Sequence, residues 1–307
     1  MDKIVRRQLA DGTVKEYRYK KVGQAVPRSI GALIEEYKAS QGPRGFSRLS
    51  KNSKIGYLRA MDHVAAYADT PIVDIKRRHI LGQCDQLATT PAIANRVIRM
   101  WSILMNFAVD REYRTDNPAQ RIPTYALGEH ERWSQEALAY ALAHLPEVYR
   151  RAVVLGLYTG QREGDCVAMR WSDWDGQGIA VVQQKTGVKL WLPCPQALTS
   201  ELIRWKAEAT AMTILTTAKG LPWASPVSFA TMFSREVRRH VELTGCVFHG
   251  LRKEAASRLA EAGCTVHEIM AVTGHSSLQM IQHYSRQAGQ RGMASAAILK
   301  LDVRNRK

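Results

Sequence analysis

The sequence predicts a mainly α-helical protein with a small antiparallel β-sheet in its C-terminal half, an α+β fold, and three observations support this. Apolar residues recur at helical spacing over most of residues 27–118 and again from Ser134 onward. Runs of β-favouring residues flank Asp11-Gly12 and Lys185-Thr186-Gly187. The stretch 119–133 has no regular period and divides the chain in two.

These features set the expected domain boundaries. We predict a basic β-hairpin over residues 1–26, a helical domain over 27–118, a linker over 119–133, and a mixed domain over 134–307 that ends in a helical tail. A chain of 307 residues is long enough to form more than one domain, each with its own hydrophobic core.

The composition narrows the class of protein. Hydrophobic residues make up 45% of the chain, which is typical of a globular protein. No apolar run approaches the ~18 residues of a membrane span, and no signal-peptide pattern follows Met1. The five cysteines are scattered, which argues against a disulfide framework or zinc ribbon. We therefore expect a cytoplasmic protein with no membrane partner.

Net charge is the strongest bulk signal. Lys and Arg exceed Asp and Glu by 44 − 28 = 16, and residues 1–60 hold 14 basic and 5 acidic side chains. Such an excess favours a polyanionic partner, most simply nucleic acid, because Lys and Arg on phosphates release counterions. A soluble basic protein with no polyanionic partner would show the same net charge. The sequence motifs must therefore distinguish between these two possibilities.

Residues 4–20 predict a β-hairpin, because Asp11-Gly12 is a preferred two-residue turn. Alternation along its second strand puts basic and aromatic residues on one face, which suits a DNA backbone. Docking of the hairpin on a neighbouring part of the protein is an equally good explanation. The residues assigned to DNA contact are Lys15, Tyr17, Tyr19, Lys51 and Lys54.

The next region predicts four or so helices. Ser29 can cap the first, residues 48–68 form the second and residues 73–87 a short third. Thr90-Pro91 predicts a capped start for the longest helix, and Asn117-Pro118 its end. The expected buried residues of that helix are Ile93, Val97, Trp101, Leu104 and Ala108.

The C-terminal half carries polar residues in settings that suit chemistry. Arg162 follows a Thr-Gly turn after a buried helix, a setting that can aim its guanidinium into a cleft, and Asp165 is near enough to support it. Lys185 lies at the tip of a hairpin predicted over residues 178–194, where it could reach a bound duplex. Each feature alone is also typical of a solvated surface.

A histidine and an arginine follow on one helix. His249 and Arg252 are three residues apart and so share a helical face. Arginine offers a bidentate fork to phosphate, and histidine can move a proton. Further on, Thr265 and Glu268 predict a capping box for a helix that Gly274 ends.

The last polar pair raises a geometric problem. His275 and Tyr284 are nine residues apart, so one unbroken helix would place them on opposite faces. Gly274 can end one helix, and Ser276 or Ser277 can cap another. We therefore expect the backbone to turn at the histidine and return the tyrosine to the same site.

In this order the motifs resemble those of the tyrosine recombinase or phage integrase family: Thr-Gly-x-Arg, a hairpin lysine, His-x-Leu-Arg, Gly-His and a tyrosine. The matching catalytic residues are Arg162, Lys185, His249, Arg252, His275 and Tyr284. The motifs cover about residues 134–287, and architecture alone extends the resemblance to residues 27–118. The resemblance implies a helical core DNA-binding domain followed by a tyrosine-recombinase catalytic domain.

The implied function is that of an integrase-type site-specific DNA recombinase, which cleaves and rejoins DNA through a 3′-phosphotyrosyl intermediate and integrates or excises a mobile element. Tyr284 would be the nucleophile, and the two arginines would stabilise the phosphate. His249 would accept a proton, and Lys185 would protonate the leaving 5′ oxygen. His275 would hydrogen-bond a phosphate oxygen or steady the site. Neither metal-ligand spacing nor a Walker loop occurs, so we predict no metal ion and no cofactor.

The match has departures. Gly164-Asp165 replaces the frequent Ser-Glu after the first arginine, Lys253 stands where histidine is common, and Thr273 replaces a common leucine. None of them changes the six catalytic residue types. Because Asp165 stands where the family often has glutamate, its assignment as the supporting residue of Arg162 is the least direct of those that the resemblance implies.

The implied partners are double-stranded DNA attachment sites and further copies of the chain in a homo-tetramer on DNA. An accessory DNA-bending or directionality factor is left open. The apolar stripe of residues 293–307 fits a groove on a neighbouring protomer, or folds back onto its own domain. Two other functions also stay open: type IB topoisomerase-like relaxation of DNA, and a DNA-binding regulator that never cleaves.

Overall fold

The computed structural model describes residues 3–8, 14–19, 28–275, 277 and 298. The chain forms two compact units, Met1–Gly128 and Glu129–Lys307, and the division between them falls inside the stretch 119–133. Helices predominate in both units, and the described residues include two separate two-stranded antiparallel sheets. The predicted fold class is confirmed.

The N-terminal hairpin consists of β1 (Lys3–Gln8) and β2 (Val14–Tyr19). The strands pair antiparallel, from Lys3 opposite Tyr19 to Gln8 opposite Val14. The predicted hairpin is therefore present. Its predicted turn at Asp11-Gly12 lies outside the described residues.

The rest of the first unit is helical. Its helices are α1 (Ile30–Ala39), α2 (Lys51–Val64), α3 (Arg77–Gln86) and α4 (Pro91–Val109). The Ser29 side chain caps α1 by accepting a hydrogen bond from the Ala32 backbone N–H at 3.2 Å. Trp101 is fully buried at the centre of the core, and its Nε1 donates to Gln83 Oε1 at 2.7 Å.

Helix α3 begins later than the sequence predicts. Residues 72–74 form a separate 3-10 turn, and Ile75 then adopts an extended conformation with ψ 113°. Ile72 and Ile75 are both buried. The extended residue separates this turn from α3, so the helix begins at Arg77.

Helix α4 differs from the prediction at both ends. The Thr90 hydroxyl donates to the Leu87 carbonyl at 3.2 Å and does not cap the helix. Ile93 is 37% exposed, whereas the other four residues expected to be buried are buried. The helix ends at Val109, well before Asn117-Pro118.

A left-handed residue explains the early end of α4. Glu112 has φ 59°, and the Tyr113 N–H donates back to the Ala108 carbonyl at 2.9 Å. This hydrogen bond ends the helix, and it requires the left-handed conformation of Glu112, which the sequence does not predict.

The second unit contains a longer series of helices and one hairpin. Its elements are α5 (Gln135–His144), α6 (Glu147–Thr159), α7 (Glu163–Ala168), β3 (Gly178–Val182), β4 (Lys189–Pro193), α8 (Gln196–Ala207), α9 (Pro226–Val237), α10 (Phe248–Glu261) and α11 (Val266–Thr273). The hairpin of β3 and β4 is antiparallel, as predicted.

Helices α6 and α10 approach each other closely at Gly156. A Cβ atom at this position would lie 2.9 Å from the Phe248 ring and 3.1 Å from Leu251. The close packing brings the C-terminal end of α6 beside the first turns of α10, which is where the polar motifs lie. No helix in the described part of the chain is long and apolar enough to cross a bilayer.

Candidate active site

The first arginine extends from a sharp helix end. Helix α6 stops at Gly160, which has φ 61°, a left-handed conformation that glycine adopts at little cost. Arg162 follows in an extended conformation at the start of α7. Its Nη1 donates to Gln183 Oε1 at 2.8 Å, so the guanidinium is held against the base of the β3–β4 hairpin.

The second arginine is almost completely buried. Arg252 is 1% exposed, and its Nη1 donates to the backbone carbonyls of Gly160 at 2.8 Å and Thr273 at 2.6 Å. These carbonyls belong to the C-terminal ends of α6 and α11, where helix dipoles place partial negative charge. The C-terminal ends of α6 and α11 therefore hold the Arg252 guanidinium in place. Arg162 lies two residues after the first of these ends, at Gly160.

The Gly-His pair lies at the other helix end. The predicted capping box of Thr265 and Glu268 starts α11, and Gly274 with φ 67° ends it. The turn places His275 in the interior at 6% exposure, with Nδ1 2.7 Å from the Thr273 hydroxyl. Burial, with the charges of Arg252 and Arg162, lowers the pKa of His275 from 6.5 to about 3.

His249 occupies the first turn of α10, one turn before Arg252. The residue as a whole is exposed, although part of its ring is shielded from water. Desolvation and the neighbouring charges of Arg252, His130 and Lys253 lower the pKa of His249 to about 4. Both histidines are therefore neutral at pH 7 in the protein without bound DNA.

The segment that precedes α5 packs against α10. The Trp133 indole N–H donates to the Val247 carbonyl at 2.8 Å, and Lys253 pairs with Glu129 at 3.0 Å. The ring of His130 lies 6.3 Å from that of His249, centroid to centroid. His130 is thus a neighbour of the site that the sequence did not single out, because no motif marks a lone histidine in an irregular segment.

The remaining predicted residues lie at or beyond the edge of this arrangement. Lys185 is exposed in the loop of the β3–β4 hairpin. Tyr284, and the Ser276 proposed as a helix cap, lie outside the described residues. The structure therefore brings together Arg162, His249, Arg252 and His275, with Lys185 on an adjoining loop.

Asp165 makes its closest contact elsewhere. Its Oδ1 accepts a hydrogen bond from the Gln184 backbone N–H at 2.9 Å, whereas its Oδ2 lies 3.8 Å from Arg162 Nη1. The carboxylate is buried and ties α7 to the hairpin. Asp165 therefore supports Arg162 only through electrostatic attraction across 3.8 Å, and not through a hydrogen bond.

Two buried glutamines, Gln161 and Gln183, were missed in the sequence. A signal was present for Gln183: alternation along β3 puts Ile179 and Val181 on the buried face and continues to residue 183. A polar residue in a buried register needs hydrogen-bond partners within the protein. Gln161 has no such signal, because it lies in an irregular connection.

The histidines should make the folded protein less stable in mild acid. In the unfolded chain histidine titrates near pH 6.5, but His275 resists protonation in the fold down to about pH 3. Between these values the unfolded state binds more protons, so the free energy of unfolding falls as pH decreases from about 6.5. One such group contributes at most about 1.4 kcal/mol per pH unit.

Urea unfolding of the wild type and His275→Asn at about pH 5 and about pH 7.5 measures this contribution. The variant should lose less stability on acidification than the wild type. Glu163 acts in the opposite sense, because burial raises the pKa of its carboxyl to about 7, but it is common to both proteins. Equal losses in the two proteins would contradict the assignment.

Comparison with known proteins identifies the family. A sequence model of the phage integrase family matches residues 134–291, just over half of the chain and all of the motifs described above. The chain belongs to the phage integrase family.

Individual integrases and recombinases are similar over part of their length. The integrase of Escherichia phage HK022 is 27% identical over 196 residues, which cover 61% of this chain and 53% of that protein. A shufflon-specific DNA recombinase of Escherichia coli is 28% identical over 155 residues, which cover 50% of this chain and 37% of that protein. The chain thus spans about half or less of the length of these two relatives.

Solved structures of integrases share the fold. A lambda integrase tetramer bound to a Holliday junction superposes with a TM-score of 0.72 at 22% identity, covering 86% of this chain and 79% of that one. The Tn1549 transposon integrase in complex with circular intermediate DNA gives 0.73 at 17% identity, covering 88% and 99%. The likeness includes both helical units and therefore establishes the fold of nearly the whole chain.

Proposed function

We propose that this protein is a site-specific DNA recombinase that cleaves and rejoins DNA through a 3′-phosphotyrosyl intermediate. One observation carries the proposal beyond family membership: two fixed guanidiniums, Arg162 and Arg252, lie beside two neutral imidazoles. A phosphodiester gains negative charge on its non-bridging oxygens when it is attacked, and guanidiniums are permanent, planar donors for that charge. A preorganised cationic pocket of this kind suits phosphoryl transfer.

In the proposed reaction the Tyr284 phenol attacks the scissile phosphorus. The phenol proton passes to His249, whose low pKa in the free protein comes partly from neighbouring cations. A bound phosphate offsets those positive charges and makes His249 a stronger base. The phosphate becomes esterified to tyrosine, and the leaving 5′ oxygen takes a proton from Lys185.

Rejoining is the reverse of cleavage. A 5′-hydroxyl, from the same or another strand, attacks the phosphotyrosine and displaces Tyr284. One phosphodiester bond is exchanged for another in each step, so the cycle needs no nucleoside triphosphate. His275, fixed next to Thr273 at the end of α11, donates to a phosphate oxygen and keeps it between the two arginines.

Covalent capture tests this function. A nicked duplex that carries a candidate attachment sequence loses a short fragment after cleavage, so the strand cannot be resealed and the protein stays attached. The wild-type protein should form an adduct that survives denaturant and is removed by protease. If the DNA is bound but no adduct forms on any attachment sequence tested, a non-cleaving DNA-binding role is the better explanation.

We infer that the first unit contacts DNA through the groove between α2 and α4. Lys51 and Lys54 lie in the first turn of α2, and two further basic residues, Arg96 and Arg99, are exposed on α4. Arg96 and Arg99 line the groove together with Tyr57. None of the ion pairs formed by residues 28–128 involves these four basic side chains. Their charge is therefore available to phosphates.

Salt dependence measures those contacts. For Arg96→Ala/Arg99→Ala the log–log slope of DNA affinity against salt should decrease by about two units, at about 0.9 per phosphate contact. Lys38→Ala is a matched control, because Lys38 is paired with Glu35 at 2.8 Å and should leave the slope unchanged. An unchanged slope in the double variant would remove this groove from the DNA interface.

We propose further that four copies assemble on two duplexes to integrate or excise a mobile element, in the bacterial nucleoid or a phage-infected cell. The support is the lambda integrase tetramer on a Holliday junction, which shares this fold. Residues 293–307, of which the structure describes Ile298 alone, would link one protomer to the next. An accessory DNA-bending or directionality factor would then act on the assembled complex.

A further inference from the structure

Gln183 connects the catalytic motifs through a single side chain. Its Oε1 accepts hydrogen bonds from Arg162 Nη1 and from the Thr186 hydroxyl, both at 2.8 Å. Its Nε2 donates to Gln161 Oε1 at 2.7 Å and to the Thr273 carbonyl at 2.9 Å. The carboxamide has two donors and one oxygen with two lone pairs, so all of its capacity is used.

The partners of Gln183 come from three separate parts of the second unit. Arg162 belongs to the junction of α6 and α7, Thr186 to the hairpin loop next to Lys185, and Thr273 to the end of α11. The Thr273 carbonyl also accepts from Arg252. One fully buried amide is therefore bonded directly to Arg162 and is one carbonyl away from Arg252.

The orientation of the amide is fixed by its partners. The guanidinium requires an acceptor, and the Thr273 carbonyl requires a donor, so exchanging the amide oxygen and nitrogen would break both contacts. Because Gln183 is fully buried, water cannot replace a lost bond. Arg162 is thus held in one direction by an acceptor that has one stable orientation.

A neutral partner has a consequence for the charge of Arg162. A carboxylate at hydrogen-bond distance would neutralise much of the guanidinium's field, but Asp165 Oδ2 is 3.8 Å away and Asp165 Oδ1 is bonded to the hairpin backbone. The amide oxygen of Gln183 orients the cation and leaves its net charge for the phosphate.

We propose that Gln183 is the positioning residue for Arg162, which holds the guanidinium where the transferred phosphate needs it. The inference rests on the proposed function, since it concerns the phosphate of that reaction. It also makes the hairpin loop part of the support of Arg162, because Thr186 shares the same amide oxygen.

The test uses two variants and two substrates. Gln183→Met keeps the size of the side chain and removes all four hydrogen bonds, and Gln183→Asn keeps the amide but withdraws it from Arg162. Single-turnover adduct formation is measured on a normal nicked duplex and on one with a neutral methylphosphonate at the scissile position. Gln184→Met is the matched control, because Gln184 is an exposed glutamine in the same loop.

Both Gln183 variants should react about 10- to 100-fold more slowly than wild type on the phosphodiester, less than the about 10²- to 10³-fold cost of removing a charge-stabilising donor outright, because Arg162 itself remains. On the methylphosphonate one charged oxygen is absent, so the defect should shrink towards onefold for at least one phosphorus diastereomer, as it should for Arg162→Ala. Gln184→Met should react normally on both substrates. Each comparison uses one protein preparation on two substrates. A partly unfolded fraction lowers both rates equally and therefore does not change their ratio.

A defect of equal size on both substrates would overturn the inference, because Gln183 would then act on something other than charge at Arg162. A Gln183→Met variant that reacts as fast as wild type would also overturn it. Failure of the proposed function has a different signature: the wild-type protein itself would form no adduct on the phosphodiester.

Discussion

Tyr284→Phe is expected to bind DNA with unchanged affinity and to form no covalent adduct. The substitution removes the phenolic oxygen, which is the atom proposed to attack phosphorus, and keeps the aromatic ring. No other step of the reaction can proceed without that bond, so the loss should be complete and not partial. Denaturing gel electrophoresis of end-labelled nicked duplex measures the adduct, and a gel-shift titration measures binding.

The neighbouring residues supply the controls for this result. Ser285 is the next residue with a hydroxyl, and Ser285→Ala should form adducts at a rate close to that of the wild type. His283→Ala tests the other side of Tyr284 in the same way. An adduct that persists in Tyr284→Phe, or disappears in Ser285→Ala, would assign the nucleophile to a different residue.

Lys185→Ala is expected to slow cleavage by about 10²- to 10⁴-fold, the usual contribution of a general acid. An alkoxide is a poor leaving group, and the exposed ammonium of Lys185 on the hairpin loop is the proposed source of its proton. Because Lys185 does not belong to the buried part of the site, DNA affinity and the stability of the fold should change little. Single-turnover cleavage under saturating protein measures the rate.

A sulfur-substituted substrate separates proton donation from phosphate binding. With sulfur at the bridging 5′ position the leaving group is a thiolate, whose conjugate acid has a pKa near 8.5 and needs little protonation. Lys185→Ala should then cleave at nearly the wild-type rate. Lys189→Ala, a change at another exposed lysine of the same hairpin, should be close to normal on both substrates. A defect that remains with sulfur would make Lys185 a phosphate-binding residue.

Much of the candidate site could be predicted from the sequence because its geometry depends on local signals. A capping box at Thr265 and a glycine at position 274 determine where α11 starts and stops, and both act within a few residues. The i, i+3 spacing of His249 and Arg252 needs only a helix at that position. The ordered motif set then assigned one chemistry to segments that are far apart in the chain.

The sequence was less informative where contacts between distant parts of the chain determine the end of a helix, the burial of a residue or its bonding partner. Helix α4 ends early because Glu112 adopts a left-handed conformation, and nothing in the residue type requires this. Ile93 fits the apolar stripe of α4 but lies in its first turn, where it remains partly exposed. The role of Asp165 was expected from its distance along the chain to Arg162, whereas its closest partner, Gln184, is on the hairpin.

Gly160 and Gly274 place a constraint on how this protein can evolve. Both have positive φ, and a Cβ atom at Gly274 would lie 2.8 Å from the Gln183 side-chain carbon Cδ and 2.9 Å from Leu190. A single mutation at Gly274 would leave all six proposed catalytic residues in the sequence and still displace the turn that carries His275. A duplicated copy of this gene that carried such a mutation would keep these six residues, but it would bind DNA without cleaving it.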